Sequence, residues 1–239
     1  MPGSWEIVKN RDSRILLAII CPPDLGITLD FAQAIRGLQL PPGSDFMRVV
    51  GLPYGPARNS AAKAALTSGY NLAFLDSDVR VESDAYIKLL ATGLDLVSGL
   101  YYQRYYPYIP VAFNEGKDDS GKPIKVPVEF RPGDIFPCTF IPSGLTLYKR
   151  RMLDICMGKW PRFFEWGVDL TLVPCEDGYV PPFSEDFVAS YRARQMGFQG
   201  YVHAGVVGLH ECRAVVGPRW IMKLPISPDP MHGVIGVLQ

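Results

Sequence analysis

Between Ile15 and Asp78 three short apolar runs are separated by two stretches with helical spacing, and this alternation limits the fold more than any other feature of the chain. The first run, Ile15 to Cys21, is closed by Pro22-Pro23, whose fixed φ and missing N–H groups stop a strand ladder. Thr28 can then cap a helix in which Phe31, Ala34, Ile35 and Leu38 recur at helical spacing until Pro41-Pro42-Gly43. Phe46 to Leu52 reads as the second strand. An alanine-rich helix follows from about Pro56 to Thr67, Ser68-Gly69 can stop it, and Leu72 to Leu75 is the third strand. A β-α-β-α-β order predicts an α/β fold with a parallel sheet of Rossmann type rather than a sandwich. Runs that are apolar throughout belong to strands covered on both faces.

The third run leads directly into Asp76-Ser77-Asp78. Open α/β sheets place ligand chemistry just beyond the carboxyl ends of their strands, which is where this pair falls. The bare motif says little, because sixteen aspartates among 239 residues give roughly one Asp-x-Asp by chance. Asp and Ser also favour turns and caps for reasons of their own. Neither G-x-G-x-x-G nor G-x-x-x-x-G-K-[ST] occurs, so a diphosphate must be held without a glycine-rich loop.

Bulk properties narrow the function further. Lys+Arg and Asp+Glu both number 24, which gives no signal for general nucleic-acid binding. The five cysteines are odd in number, widely spaced and without C-x-x-C, so they read as reduced, cytoplasmic thiols rather than a disulfide framework or zinc cluster. Lys9, Arg11 and Arg14 before the run at Ile15 imitate a signal peptide, but the run is too short and lacks a small-x-small cleavage site. No membrane span is expected, because no apolar stretch approaches the roughly 20 residues that one requires. A hydrophobic content of 48% over this length supports one core and a single domain.

Beyond Asp78, Ser83-Asp84 opens a short helix to about Thr92, and Leu94 to Tyr102 reads as a fourth strand. The proline-rich stretch 103–140, with short pieces at Val111–Phe113 and Ile124–Phe130, predicts an antiparallel insertion. Leu145–Tyr148 is a further strand before a helix at Arg150–Cys156, and the aromatic cluster Trp160–Trp166 is expected in the core. Residues 167–183 lack periodicity and fit a lid. Ser184-Glu185-Asp186 opens a helix through Met196 that Gly197 can end. A strand at Phe198–His203 and an apolar piece at Ala204–Leu209 lead to His210-Glu211, followed by a tail.

Taken together, these pieces resemble the catalytic domain of nucleotide-sugar glycosyltransferases of the GT-A fold, in particular the family 2-like enzymes. The carriers are Ala57-Arg58-Asn59, the D-x-D at Asp76-Ser77-Asp78, SGLYYQR at Ser98–Arg104, SGLTLYKR at Ser143–Arg150, SEDF at Ser184–Phe187 followed by RARQMGF, and His210. The resemblance implies a mixed sheet flanked by helices with a small antiparallel insertion, residues 14–102 forming a nucleotide-binding half, 103–210 an acceptor half and 211–239 a tail. It implies transfer of a hexose from a UDP-sugar or GDP-sugar to an acceptor that the sequence does not identify.

A hard cation held by carboxylates can offset the charge that develops on a diphosphate leaving group, and an added imidazole favours Mn²⁺ over Mg²⁺. The resemblance implies Asp78 and His210 as metal ligands, with Asp76 facing the ribose or reaching the metal through water. It implies donor contacts at Pro22, Pro23, Asp24, Arg58, Asp76 and Ser77. For an inverting transfer Asp186, with Glu185 beside it, is the implied base; for a retaining one that base is unnecessary and Asp186 only orients the acceptor or sugar; the same acidic residues also suit a helix first turn without chemistry. Tyr101, Tyr102, Arg104, Tyr105 and Tyr106 are candidates to stack on sugar or acceptor, against the alternative of an aromatic cluster packed in the core; Arg213, Arg219 and Lys223 are candidates to close over the diphosphate, against the alternative of a solvated basic face. Two other readings share the layout: a nucleotidyltransferase, for which the glycine-rich, Lys-bearing loop after the first strand is missing, and a non-catalytic nucleotide-sugar or glycan-binding protein.

Overall fold

The structure is a computed structural model that describes residues 13–21, 27–104, 108–121, 123–166 and 184–211. Pro22, Pro23, Asp24, Tyr105, Tyr106, the 167–183 loop and the tail with Arg213, Arg219 and Lys223 lie outside the described residues.

Strand β1 (Ile15–Cys21) pairs in parallel with β2 (Asp45–Val50) on one side and β3 (Asn71–Asp76) on the other, Leu17 standing level with Phe46 and Ala73. Because successive side chains leave a strand on opposite faces, β1 feeds two cores. Ile15 and Leu17 join Ala73 and Leu75 beneath helices α1 (Leu29–Arg36) and α3 (Ala85–Ala91), whose Phe31, Tyr86, Leu89 and Leu90 are buried there. Leu16, Ala18 and Ile20 join Leu72 and Phe74 beneath α2 (Tyr54–Ser68), α4 (Arg150–Lys159) and α5 (Glu185–Gln195). Each fully buried Leu, Ile or Phe contributes roughly 1.5–3 kcal/mol.

The alanines of α2 explain how that helix sits. Ala57, Ala61, Ala62 and Ala65 are all buried against the sheet, and their small side chains permit a close approach. Gly69 ends the helix in the left-handed region at φ 73°, where a Cβ would be strained. Thr28 caps α1 by accepting the Phe31 N–H at 3.0 Å.

The remaining strands make the sheet mixed rather than parallel throughout. Strand β9 (Leu145–Tyr148) lies between β3 and β5 (Leu96–Leu100), antiparallel to both. The long β10 (Gly200–His210) pairs in parallel with β5, shifts register between His203 and Val207, and then pairs antiparallel with β4 (Val79–Val81). The eight-stranded sheet thus runs β2-β1-β3-β9-β5-β10-β4, with β8 (Ile135–Cys138) antiparallel to the first part of β10. The insertion, β6 (Phe113–Lys117) with β7 (Pro123–Pro127), forms its own two-stranded sheet.

Three expectations need correction. The Phe198–His203 strand and the Ala204–Leu209 piece are one strand with a register shift. Strand β4 was not expected at all, because its three residues gain a partner only from a segment about 130 positions later. Of the aromatic cluster, Phe163 and Phe164 are buried, but Trp166 is 54% exposed. Phe164 meets Phe74 and Tyr148 edge-on, with ring centroids 5.3 and 5.6 Å away, so the core claims the middle of the cluster and releases its end.

Candidate functional site

Strand β3 delivers Asp76 at its carboxyl end, where the Asp76 N–H bonds the Gly144 carbonyl at 2.9 Å and the Ser77 N–H bonds that of Ile20 at 3.2 Å. Ser77 is buried. The chain then turns into β4, and the β4–β10 ladder sets His210 level with Val79. The Glu211 N–H closes the ladder on the Asp78 carbonyl at 2.7 Å. This pairing brings His210 Nε2 to 3.6 Å from Asp78 Oδ2. His210 Nδ1 lies 2.8 Å from the Tyr102 carbonyl oxygen, and since a carbonyl can only accept, Nδ1 carries the hydrogen and Nε2 faces the carboxylate. Burial acts to raise the Asp78 carboxyl, but His210 and Arg104 outweigh it and hold it below the usual carboxylate value. Arg104 Nη1 donates to the same Oδ2 at 2.7 Å.

Asp76 looks the other way. Arg58, on α2 and only 2% exposed, donates from Nη2 to Asp76 Oδ1 at 3.0 Å, from Nε to Glu185 Oε1 at 3.0 Å and from Nη1 to the Ser143 carbonyl at 3.3 Å. Its guanidinium carbon also stands 4.8 Å from the Phe74 ring centroid. Burial would favour losing the Arg58 proton, but Asp76, Glu185 and Asp186 overcome it and keep the guanidinium firmly charged. Burial raises both Asp76 and Glu185 above their ordinary values; Arg58 opposes the rise in each. Glu185 is 4% exposed, so its carboxylate belongs to this ion pair.

Its neighbour Asp186 is partly exposed. Asp186 Oδ2 accepts the Ser143 N–H at 3.3 Å and Oδ1 its neighbour Phe187 N–H at 2.9 Å. The first turn of α5 therefore splits its two acids: one is buried against Arg58, the other turned to an open cleft. Gly144 lies beside Tyr101 and Asp76. A Cβ there would stand 2.6 Å from the Tyr101 hydroxyl and 3.0 Å from Asp76 Oδ2, while its N–H donates to that hydroxyl at 2.9 Å.

These residues line one cleft of about 280 Å³, walled also by Tyr54, Tyr101, Val111 and Trp166. Larger hollows lie beside α1 and β4, where Asp30 and Glu82 flank Arg80, and beside Asn71 and Arg150, but neither is lined by a histidine or by more than two carboxylates. The cleft thus brings together Arg58, Asp76, Asp78, Glu185, Asp186 and His210 of the residues singled out in the sequence; Ser77 sits beneath it. Tyr101 and Arg104, both read from the sequence as sugar or acceptor contacts, line the cleft as well. Wall residues not read as such include Tyr54, Val111 and Trp166; Val111 was assigned to the insertion and Trp166 to the core, and no motif marked Tyr54.

Among the described residues no group of three or more His, Cys, Asp or Glu side chains converges as a metal cage. Asp78 and His210 converge as a pair, an oxygen and a nitrogen donor of the type that suits Mn²⁺. The pair fits a divalent ion as about a third of a six-coordinate shell, to be completed by ligand oxygens and water. Asp76 does not join it, being turned to Arg58.

No family model and no curated protein matches the sequence. Among solved structures the chain is similar to A197 from STIV, at 19% identity and a TM-score of 0.52, over 84% of this chain and 86% of that one. It is also similar to GalNAc-T7, solved with UDP, GalNAc and Mn²⁺, at 13% identity and a TM-score of 0.50, over 84% of this chain but 44% of that one. These likenesses show a GT-A fold. Among the described residues no helix is long and apolar enough to cross a membrane.

Proposed function

We propose that the protein is a glycosyltransferase that moves a hexose from a UDP-sugar or GDP-sugar to an acceptor hydroxyl, with Mn²⁺ or Mg²⁺ held by Asp78 and His210. The observation that carries this reading is the cleft at the carboxyl end of β3, where the acidic pair, the imidazole from β10 and the first turn of α5 face one another. The neighbour crystallised with UDP, GalNAc and Mn²⁺ supports the donor class. The free, buried Cys21, Cys138 and Cys156 support a reducing, cytoplasmic setting.

The residues divide the work by burial. Arg58 fixes Asp76 and Glu185, so Asp76 presents its remaining exposed edge to the ribose and Glu185 acts as a positioning residue. Asp186, held by two backbone N–H groups yet open to the cleft, is the base. In an inverting transfer the acceptor oxygen bonds to the anomeric carbon as the carbon–oxygen bond to the diphosphate breaks. The bonding pair leaves with the diphosphate, and the acceptor proton passes to Asp186. A divalent cation, when bound, offsets the negative charge of the departing diphosphate. Tyr54, Tyr101, Val111 and Trp166 wall the cleft and limit water around the sugar.

A thermal-shift panel of UDP- and GDP-sugars with and without Mn²⁺, paired with donor turnover, tests the reading. One nucleotide should raise Tm in a Mn²⁺-dependent way, and Asp78→Ala should remove that dependence. Asp186→Asn should keep the shift while turnover falls by roughly 10²–10⁴-fold. Finding no stabilisation and no turnover with any sugar nucleotide overturns it.

A further inference from the structure

The carboxylate oxygen of Asp78 that faces His210 is already occupied. Arg104 Nη1 donates to Oδ2 at 2.7 Å, and His210 Nε2 stands 3.6 Å from that same atom, so a guanidinium sits at the oxygen that a cation would share with the imidazole. We propose that Arg104 is a built-in counter-cation: it holds the Asp78–His210 cation site closed in the ligand-free protein and transfers to the donor's diphosphate on binding, so that metal and nucleotide bind cooperatively. This inference rests on the metal-dependent transfer reading above.

Three features of the molecule support the exchange. The cleft wall carries Asp76, Asp78, Glu185 and Asp186 against the cations Arg58 and Arg104. Of the described residues that wall the cleft, Arg58 is buried and committed to Asp76 and Glu185, and Arg104 is the cation at its mouth, placed to meet an incoming phosphate. Without such a charge a diphosphate entering among carboxylates is repelled.

The Arg104–Asp78 pair is also built to exchange. Arg104 is 46% exposed, and an ion pair between groups that water reaches is weak and readily replaced. Buried Arg58 has no such freedom. A diphosphate carries more charge than one carboxylate, and its oxygens match the guanidinium fork in pairs.

Finally, the backbone that carries Arg104 is anchored. Gln103 N–H bonds the Ile109 carbonyl at 3.0 Å, Val111 N–H bonds the Tyr101 carbonyl at 2.9 Å, and the Tyr102 carbonyl holds His210. The exchange then takes a rotation of the Arg104 side chain, with the backbone of Asp78 and His210 held by the β4–β10 ladder.

The test is a Mn²⁺ titration, followed by the electron paramagnetic resonance of the free ion, with and without UDP or GDP, on the wild type and on Arg104→Gln, Arg104→Lys and Asp78→Asn. Circular dichroism and Tm confirm that each variant is folded. Removing a competitor for Oδ2 should tighten Mn²⁺ binding without nucleotide by up to about fivefold in Arg104→Gln. In the same variant the enhancement of Mn²⁺ binding by nucleotide should fall toward unity, with Arg104→Lys between the two. Equal Mn²⁺ affinity and equal enhancement in wild type and Arg104→Gln, with binding lost in Asp78→Asn, overturns the Arg104 inference and leaves the transferase reading standing. Failure of both wild type and Arg104→Gln to bind Mn²⁺ overturns the metal-dependent reading and this inference together.

Discussion

Arg58 and Arg104 each hold one carboxylate of the Asp76–Asp78 pair, yet the two arginines live in different media. Arg58 is 2% exposed and spreads its nitrogens over Asp76, Glu185 and the Ser143 carbonyl; Arg104 is 46% exposed and reaches Asp78 from the cleft mouth. In the interior, removing one partner strands the others in a medium that solvates them poorly. At the mouth, water takes over the role of either partner at little cost. Two aspartates separated by a single residue thus acquire opposite duties: Asp76 is part of the framework that fixes the cleft, and Asp78 is available for exchange. Charge type does not distinguish them. Burial does.

The sharpest way to break this contrast is to remove each guanidinium in turn. Arg58→Met leaves Asp76 and Glu185 uncompensated and should cost about 3–5 kcal/mol in urea unfolding, whereas Arg104→Met should cost under about 1 kcal/mol; equal losses would abolish the distinction. A smaller effect should come from Gly144→Ala. Its new methyl would press on the Tyr101 hydroxyl and Asp76 Oδ2 from the framework side, so a loss of about 1–3 kcal/mol is expected by calorimetry. The smallest effect is a difference in acid response. The Asp78 carboxyl is depressed, so its contribution is present above the unfolded value of about 4 and lost as pH falls through the lower folded value. Asp76 and Glu185 are raised, so their contributions are present below about 4 and lost as pH rises through the folded values. Asp78→Asn should therefore lose less unfolding free energy than wild type between about pH 4 and 3, by under about 1 kcal/mol in urea unfolding. Glu185→Gln should show the reverse sign, losing less than wild type as pH rises from about 4 to 7.

The part of this arrangement written locally in the chain could be read from it. The Ile15–Cys21 strand has the bounds its prolines impose, and the alanine-rich helix, expected from Pro56 to Thr67, spans Tyr54–Ser68 with Gly69 in the left-handed cap that stops it. Asp76 and Asp78 lie at the strand end where the apolar run breaks off. Features that depend on distant partners were not readable. Strand β4 exists because β10 pairs with it, and α2 turns Arg58 inward because Glu185 lies 127 residues ahead to receive it. The sequence offers Arg58 as a donor contact and gives no sign of the two carboxylates that bury it. Trp166 follows the same logic in reverse: composition sends an aromatic to the core, but Phe163 and Phe164 already fill the space there.

Strand β9 carries a consequence for how the molecule comes into being. Its neighbours β3 and β5 are complete by Leu100, but the strand that joins them begins at Leu145. As the nascent polypeptide leaves the ribosome, β3 and β5 therefore wait with open, adhesive borders. The middle of the sheet is a late seam, and a chain halted before Leu145 is a candidate for clumping with its own kind rather than a smaller working unit.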